Sequence, residues 1–292
     1  MPYVRSQGLR IHYHVEGHGP PLVCQHGFGD SLESWYELGY VDALKDEYRL
    51  ILIDARGHGA SDKPHEPEAY SFPNVTADVG AVLDALTVTH AHYFGFSMGG
   101  KNGFALAAYA PERLRSLSVL GDTAAAQAHA PLEFWIAALR HGPEAVASLW
   151  AMEEPVSPAM RQRLVANDSE ALIAQRLQRK APVGFDAILP TLPIPCLLMV
   201  GEADAAYAKQ NPQSARRNNF PGEQISRRFL LLSEHLSASN YPGAAASVQA
   251  CSQMIPNATF VSFPGRGHMG SFLHQAEVVA HLQQFLRGLA GG

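Results

Sequence analysis

The hydrophobic positions of this chain switch repeatedly between two periods. Short unbroken apolar runs are what strands buried on both faces require, whereas three-and-four spacing lays one apolar stripe along a helix. Tyr3–Ser6 and Leu9–Val15 read as a hairpin turning at Gln7-Gly8. Pro21–Gln25 follows, then an amphipathic stretch, Leu32–Lys45, then the apolar run Arg49–Asp54. Asn74–Leu86 places Val75, Val79, Val82, Leu83 and Leu86 at helical spacing. His92–Phe96 predicts a strand that stops at Ser97, and Met98–Ala110, rich in Gly and Ala, a closely packed helix ended by Pro111. Leu114–Leu120, Pro195–Val200 and Thr259–Phe263 complete eight strands, and Phe272–Leu286 the last helix, with Gly288 as its stop.

Alternating strand and helix signals predict an α/β chain: a mostly parallel eight-stranded sheet with helices on both faces. Two regions break the rhythm. Residues 123–194 carry helical stretches punctuated by seven prolines and no strand, which predicts a helical cap inserted between 1–122 and 195–292 of the core. Residues 205–243 are polar and irregular, an atypical insertion, although Ile225, Phe229, Leu232 and Leu236 share helical spacing. A supplement to the cap, a contact in a homo-oligomer and a surface loop stay open for that segment.

Composition changes this picture little. The 292 residues are 47% hydrophobic and 17% charged, which suits a globular α/β chain. A net charge of −5 with both signs scattered lacks the basic face that nucleic-acid binding needs. Cys24, Cys196 and Cys251 are odd in number, form no CxxC, and read as buried thiols of a reducing compartment. Met1-Pro2-Tyr3-Val4-Arg5 lacks a secretory apolar stretch, and no apolar run approaches the ~18 residues of a membrane span. The expectation is a soluble, cytoplasmic protein.

The chemistry is concentrated in Gly95-Phe96-Ser97-Met98-Gly99, a G-x-S-x-G motif with a strand before it and a helix after it. The flanking glycines permit a sharp turn that exposes the serine hydroxyl, with the helix N-terminus favouring negative charge nearby. A serine hydroxyl needs a general base, and on such an elbow the acid and then the histidine follow in chain order. His268, in the Gly-rich loop Pro264–Gly270, is the expected base. Asp204, just beyond the strand Cys196–Val200, is the favoured acid, with neighbouring Glu202 structural and Asp122, after the preceding strand, the competitor. Its task is to fix the imidazole tautomer and stabilise the imidazolium. The oxyanion hole is expected from the N–H groups of Met98 and Phe28, with His26 holding the Phe28 loop.

His26-Gly27-Phe28, Asp54–Ser61 (DARGHGAS), Gly95–Gly100, Gly201–Asp204 and Pro264–His268 together resemble the ordered motifs of α/β-hydrolases. The resemblance runs from about residue 8 to about residue 287, outside the two irregular regions. It implies that Asp54–Ser61 is structural. Serine at the nucleophile departs from epoxide hydrolases and haloalkane dehalogenases, which use aspartate. The pattern is similar to serine esterases, enol-lactonases and cofactor-free perhydrolases, and less so to C–C bond hydrolases. It implies a carboxylic ester or lactone hydrolase acting on a small molecule through an acyl-enzyme; perhydrolysis, C–C bond hydrolysis with the same triad and a slow-turnover ligand sensor are the alternatives. The 64 positions from Asp204 to His268 exceed the usual spacing of relatives.

Two further signals are weak. His12-x-His14 and His90-x-His92 would each share a strand face, but neither has a carboxylate or cysteine in ligand register, so no metal is expected. No G-x-G-x-x-G or P-loop follows a strand, so no cofactor is expected. In the cap, Phe134, Trp135, Leu139, Trp150, Met152 and Met160 are candidates for the substrate pocket, with Trp135, Trp150 and Met152 foremost; about half of the six should instead form the cap's own core.

Overall fold

The computed structural model describes residues 2–126, 132–180, 183–202 and 244–290, without the side chains of 132–134, 149, 152, 153, 244 and 290. Eight strands form one sheet: β1 (Tyr3–Ser6), β2 (Leu9–Glu16), β3 (Pro21–Gln25), β4 (Arg49–Ile53), β5 (Ala91–Phe96), β6 (Leu114–Leu120), β7 (Cys196–Gly201) and β8 (Ala258–Phe263). Their order is β1-β2-β4-β3-β5-β6-β7-β8. β1–β2 and β2–β4 pair antiparallel and all later pairs parallel. Gln7 and Gly8 turn the first hairpin, both at positive φ (51° and 86°).

The unbroken apolar runs are explained by two-sided burial. Along β4, Leu50 and Leu52 enter one core while Ile51 and Ile53 enter the other. β3 divides Leu22 and Cys24 from Val23, and β7 divides Leu197 and Met199 from Leu198 and Val200. Successive strand residues point to opposite faces, so each run supplies both cores at once.

One face is covered by α1 (Glu33–Glu37) and α2 (Tyr40–Leu44), through Trp35 and Tyr40. These replace the single helix expected over Leu32–Lys45, because Gly39 between them takes φ 80°. The opposite face carries α3 (Phe72–Ala85) and α4 (Met98–Tyr109), through Val79, Val82 and Phe104. Between β6 and β7 lie α5 (Leu132–Arg140), α6 (Pro143–Glu153), α7 (Pro158–Val165) and α8 (Ser169–Gln178). Pro143 and Pro158 occupy first turns, where the missing N–H costs nothing. Ser157 and Asp168 cap α7 and α8, accepting from Met160 N and Ala171 N at 3.0 Å.

The C-terminal region differs more from expectation. Helix α9 (Ala244–Met254), unanticipated in the sequence, buries Val248 and Cys251 against the sheet. The expected final helix is two helices, α10 (His268–Leu273) and α11 (Gln275–Ala290), broken at His274, and α11 runs past Gly288. Residues 205–243 lie outside the described residues. All three cysteines are free and buried, and burial pushes the Cys196 thiol up to about 12. Among the described residues, no helix is long and apolar enough to cross a membrane.

Candidate active site

The chain leaves β3 for β4 on one side and places β5 on the other side of β3. Such a switch point opens a crevice at the carboxyl ends of the two strands, where open α/β sheets bind ligands. Ser97 stands at the end of β5, with φ 51° and ψ −116°. Its N–H donates to Leu120 O at 2.8 Å, and its carbonyl accepts from Lys101 N at 3.0 Å, so α4 starts directly on the turn. A non-glycine residue held here stores about 1–3 kcal/mol of strain.

The glycines of the motif follow from contact rather than from φ. A Cβ on Gly95 would lie 2.3 Å from the Gly99 backbone, and one on Gly99 would lie 2.1 Å from Gln25 O. Helix α4 therefore abuts β3 and β5 with no room for a methyl group. Gly99→Ala is expected to lower stability by about 3 kcal/mol or more, or to prevent folding. A thermal melt within a degree of wild type would overturn this reading of the packing.

His268, the first residue of α10, sets its Nε2 2.9 Å from Ser97 Oγ. Its ring lies 5.0 Å from Phe96, which stacks on Phe272 at 4.1 Å and 4°. A Cβ on Gly121 would come within 3.0 Å of His268 Cε1, so the end of β6 also confines the imidazole. Sequence reasoning placed this histidine in a loop; it opens a helix whose Phe272 anchors it to the core.

The two acid candidates fare differently. Asp204 lies outside the described residues. Asp122 Oδ1 accepts from Thr123 N at 2.7 Å, and its charge acts on Lys101, Arg176 and Arg179. Glu202 points away along the sheet, its Oε1 accepting from Ser262 Oγ at 2.8 Å.

The loop after β3 passes against Ser97: a Cβ on Gly27 would sit 3.6 Å from Ser97 Cβ. His26 is fully buried and holds this loop. Its Nδ1 donates to Gly27 O at 2.8 Å, which leaves Nε2 to accept from Ala55 N at 3.2 Å. Asp54 accepts from Leu32 N, Ala60 N and His12 Nδ1 at 2.8, 2.9 and 2.8 Å. Burial would raise the Asp54 carboxyl, but these hydrogen bonds hold it below its usual range. Along the chain His12 has no carboxylate in ligand register; β2 lies beside β4 and brings Asp54 to it. Among the described residues, no cluster of three or more His, Cys, Asp or Glu is placed to hold a metal. The Met98 N–H opens α4 and so has no partner within the helix. The Phe28 N–H follows the last ladder residue of β3, and the loop's turn bond runs instead from Asp30 N to Gly27 O.

Two buried histidines predict acid sensitivity. Burial pushes His58 down to about 3 and His92 to about 4, from 6.5. Between pH 6.5 and those values the unfolded chain takes up protons that the folded chain refuses. Stability is therefore full above 6.5 and lost on acidification, by up to about 1.4 kcal/mol per pH unit for each group. Urea midpoints should fall steadily from pH 7.5 to 4.5; a flat series would contradict this.

Over the crevice, Phe28 and Met98 share one core with Leu139, Trp150, Met160 and Leu164 of the inserted helices. Trp135 is half-buried, its ring 6.0 Å from Phe28 and 6.4 Å from Trp150. Trp150 is buried, and its Nε1 has no hydrogen-bond partner among the described residues. The side chains of Phe134 and Met152 lie outside the described residues. Sequence reasoning missed α8. Gln175 Nε2 donates to Met98 Sδ at 3.2 Å, Arg176 lies 3.8 Å over the Phe28 ring, and Arg179 donates to Asn102 Oδ1 at 2.9 Å. The available signal was that 175, 176 and 179 continue the stripe begun by the buried Leu172 and Ile173. A separate groove of about 550 Å³, lined by Pro20, Tyr48, His92, Arg115 and Pro195 among others, opens at the opposite strand ends, away from Ser97.

A serine on a strained strand-to-helix turn, paired with an imidazole at the switch point of a mostly parallel sheet, defines a nucleophile-elbow α/β protein. The model of the alpha/beta hydrolase fold family matches residues 20–152. A provisionally named carbamate hydrolase, RutD, from Stutzerimonas stutzeri is 27% identical over 82% of this chain and 89% of its own. The 3-oxoadipate enol-lactonase 2 of Acinetobacter baylyi is 34% identical over 44% of this chain and 49% of its own. The chain spans about half the length of the curated relatives it matches at 34% identity. A solved enol-lactonase from Burkholderia xenovorans superposes with a TM-score of 0.76 at 23% identity, over 98% of this chain and 100% of that one. Residues 20–152 therefore match the alpha/beta hydrolase fold family, and the chain as a whole shares the fold of that solved structure.

Proposed function

We propose that the protein is a serine hydrolase that cleaves carboxylic esters or lactones through an acyl-enzyme on Ser97. The observation that carries this reading is the 2.9 Å contact between His268 Nε2 and Ser97 Oγ on a turn at φ 51°. His268 takes the hydroxyl proton as Ser97 attacks the carbonyl carbon. The N–H groups of Met98 and Phe28 stabilise the tetrahedral oxyanion. His268 then protonates the leaving alcohol and later activates the water that frees the acid. Asp204 orients the imidazole. Helices α5–α8, within 123–194, act as the cap on a core formed by 1–122 and 195–292, and Trp135, Trp150 and Met152 line the substrate pocket. Relatives named for enol-lactone and carbamate hydrolysis support hydrolysis at an acyl carbon.

Labelling with a fluorophosphonate tests the reading directly. A single adduct on the peptide containing Ser97, lost on prior heat denaturation, is expected by mass spectrometry. An unmodified Ser97, or a label spread over other serines, would overturn it.

A further inference from the structure

Helix α8 turns two guanidinium groups toward the face of the molecule that carries Phe28 and Met98. The Arg176 guanidinium carbon lies 3.8 Å from the centre of the Phe28 ring and 4.9 Å from that of Trp135. Such a cation–π contact engages the charge and leaves N–H groups of the guanidinium as donors. Among the described residues, Arg176 has no ion-pair partner, and its buried Nε has no hydrogen-bond partner. Arg179, one turn on, rests 4.9 Å over Phe72 and spends one N–H on Asn102 Oδ1, while its own Nε is buried without a partner. Gln175 Oε1, beside them, is also buried and unpartnered.

The local charge is one-sided. Lys101 Nζ is buried nearby and donates to the carbonyls of Thr123, Ala124 and Ala125. Against these three cations the facing carboxylates are Asp122, which acts on all three, and Asp186, which acts on Lys101. Burial, then the charge of Arg179, pushes Arg176 down to about 9, so it remains cationic at neutral pH at an electrostatic cost. A buried cation without a partner is costly unless an anion completes it. Arg176 and Arg179 are partly buried, each with a buried Nε, at positions that continue the buried Leu172 and Gln175.

We infer that Arg176 and Arg179 form an anion subsite that selects acyl substrates carrying a carboxylate close to the scissile carbonyl. Phe28 links the two sites, since its ring lies against Arg176 while its backbone N–H is the proposed second oxyanion donor. A carboxylate held by Arg176 is thereby registered against the carbonyl that Ser97 attacks. This inference rests on the serine-hydrolase reading above.

The test compares mono-p-nitrophenyl esters of five- and six-carbon dicarboxylic acids with their methyl diesters, which have the same chain but no charge. The wild-type protein should favour the charged ester by about ten- to a hundred-fold in kcat/KM, the range of one or two charge-assisted hydrogen bonds. Arg176→Gln should collapse that ratio mainly through KM, and Arg176→Lys, which keeps the charge, should retain part of it. Glutarate should inhibit the wild-type protein competitively where glutaramide, of the same chain length but uncharged and not an ester, does not, a readout that needs no variant to fold. Equal kcat/KM for the two esters with hydrolysis lost in Ser97→Ala would overturn the subsite alone. Hydrolysis of both esters that survives Ser97→Ala would overturn the underlying serine-hydrolase reading.

Discussion

Ser97→Ala is expected to reduce ester hydrolysis by a factor on the order of 10⁶, leaving only the contribution of the oxyanion donors and binding. The alanine keeps the backbone: the N–H to Leu120 O and the carbonyl to Lys101 N remain, and alanine tolerates φ 51° no better than serine. The melting temperature should therefore hardly change while the rate collapses. His268→Ala should cost nearly as much, and the double variant little more than either single one, because nucleophile and base act as a unit. The measurement is initial rate on p-nitrophenyl butyrate alongside a thermal melt. Equal rates in Ser97→Ala and wild type would remove the nucleophile assignment, and losses that multiply in the double variant would separate His268 from Ser97. Ser97→Gly adds a control on the strain: it should melt higher than Ser97→Ala, since glycine reaches positive φ without cost.

The parts of the fold legible in the sequence are those where a local pattern has one structural answer. Arg49–Ile53 could be read as a strand because both faces of β4 are buried, so no polar alternation interrupts the run. Gly95 and Gly99 could be read as an elbow because the glycines sit where backbone meets backbone. What escaped was set by tertiary packing. Gly39 breaks an amphipathic stretch whose periodicity alone predicts one helix, and α11 continues past Gly288 where a stop was expected. Helix α9 opens on three alanines, which give little periodic signal, and only Val248 and Cys251 reveal its buried face.

The site divides along the same line. Ser97 and His268 were legible because a motif and a chain order select them. Arg176 and Arg179 were not, because cationic residues on a helix read as a solvated face until a partner surface covers them. The rings of Phe28, Trp135 and Phe72 supply that surface, and they come from three distant parts of the chain. The Asp54 network is similar. His12, Leu32 and Ala60 converge on one carboxylate from β2, the segment after β3 and the loop after β4. Their convergence fixes the segment that follows Phe28, so residues remote from Ser97 would hold the proposed oxyanion donor in place.

The acid is decided by a pair of substitutions. Asp204→Asn should lower kcat by about 10⁴ at neutral pH, because an amide in that place favours the wrong imidazole tautomer. Asp122→Asn should cost less than about tenfold. Asp122 is a serious rival by position, since it follows Gly121, which presses on the imidazole. Its carboxylate, however, is engaged by the Thr123 N–H and faces the cations of Lys101, Arg176 and Arg179. The end of β7 offers the better approach. A Cβ on Gly201 would lie 2.4 Å from Arg266 O, so the strand that leads to Asp204 abuts the loop that delivers His268. If Asp122→Asn is the variant that loses four decades, the triad acid comes from β6. In that case the charge balance around Arg176 must be redrawn, since Asp122 could not serve the imidazole and offset the α8 arginines together.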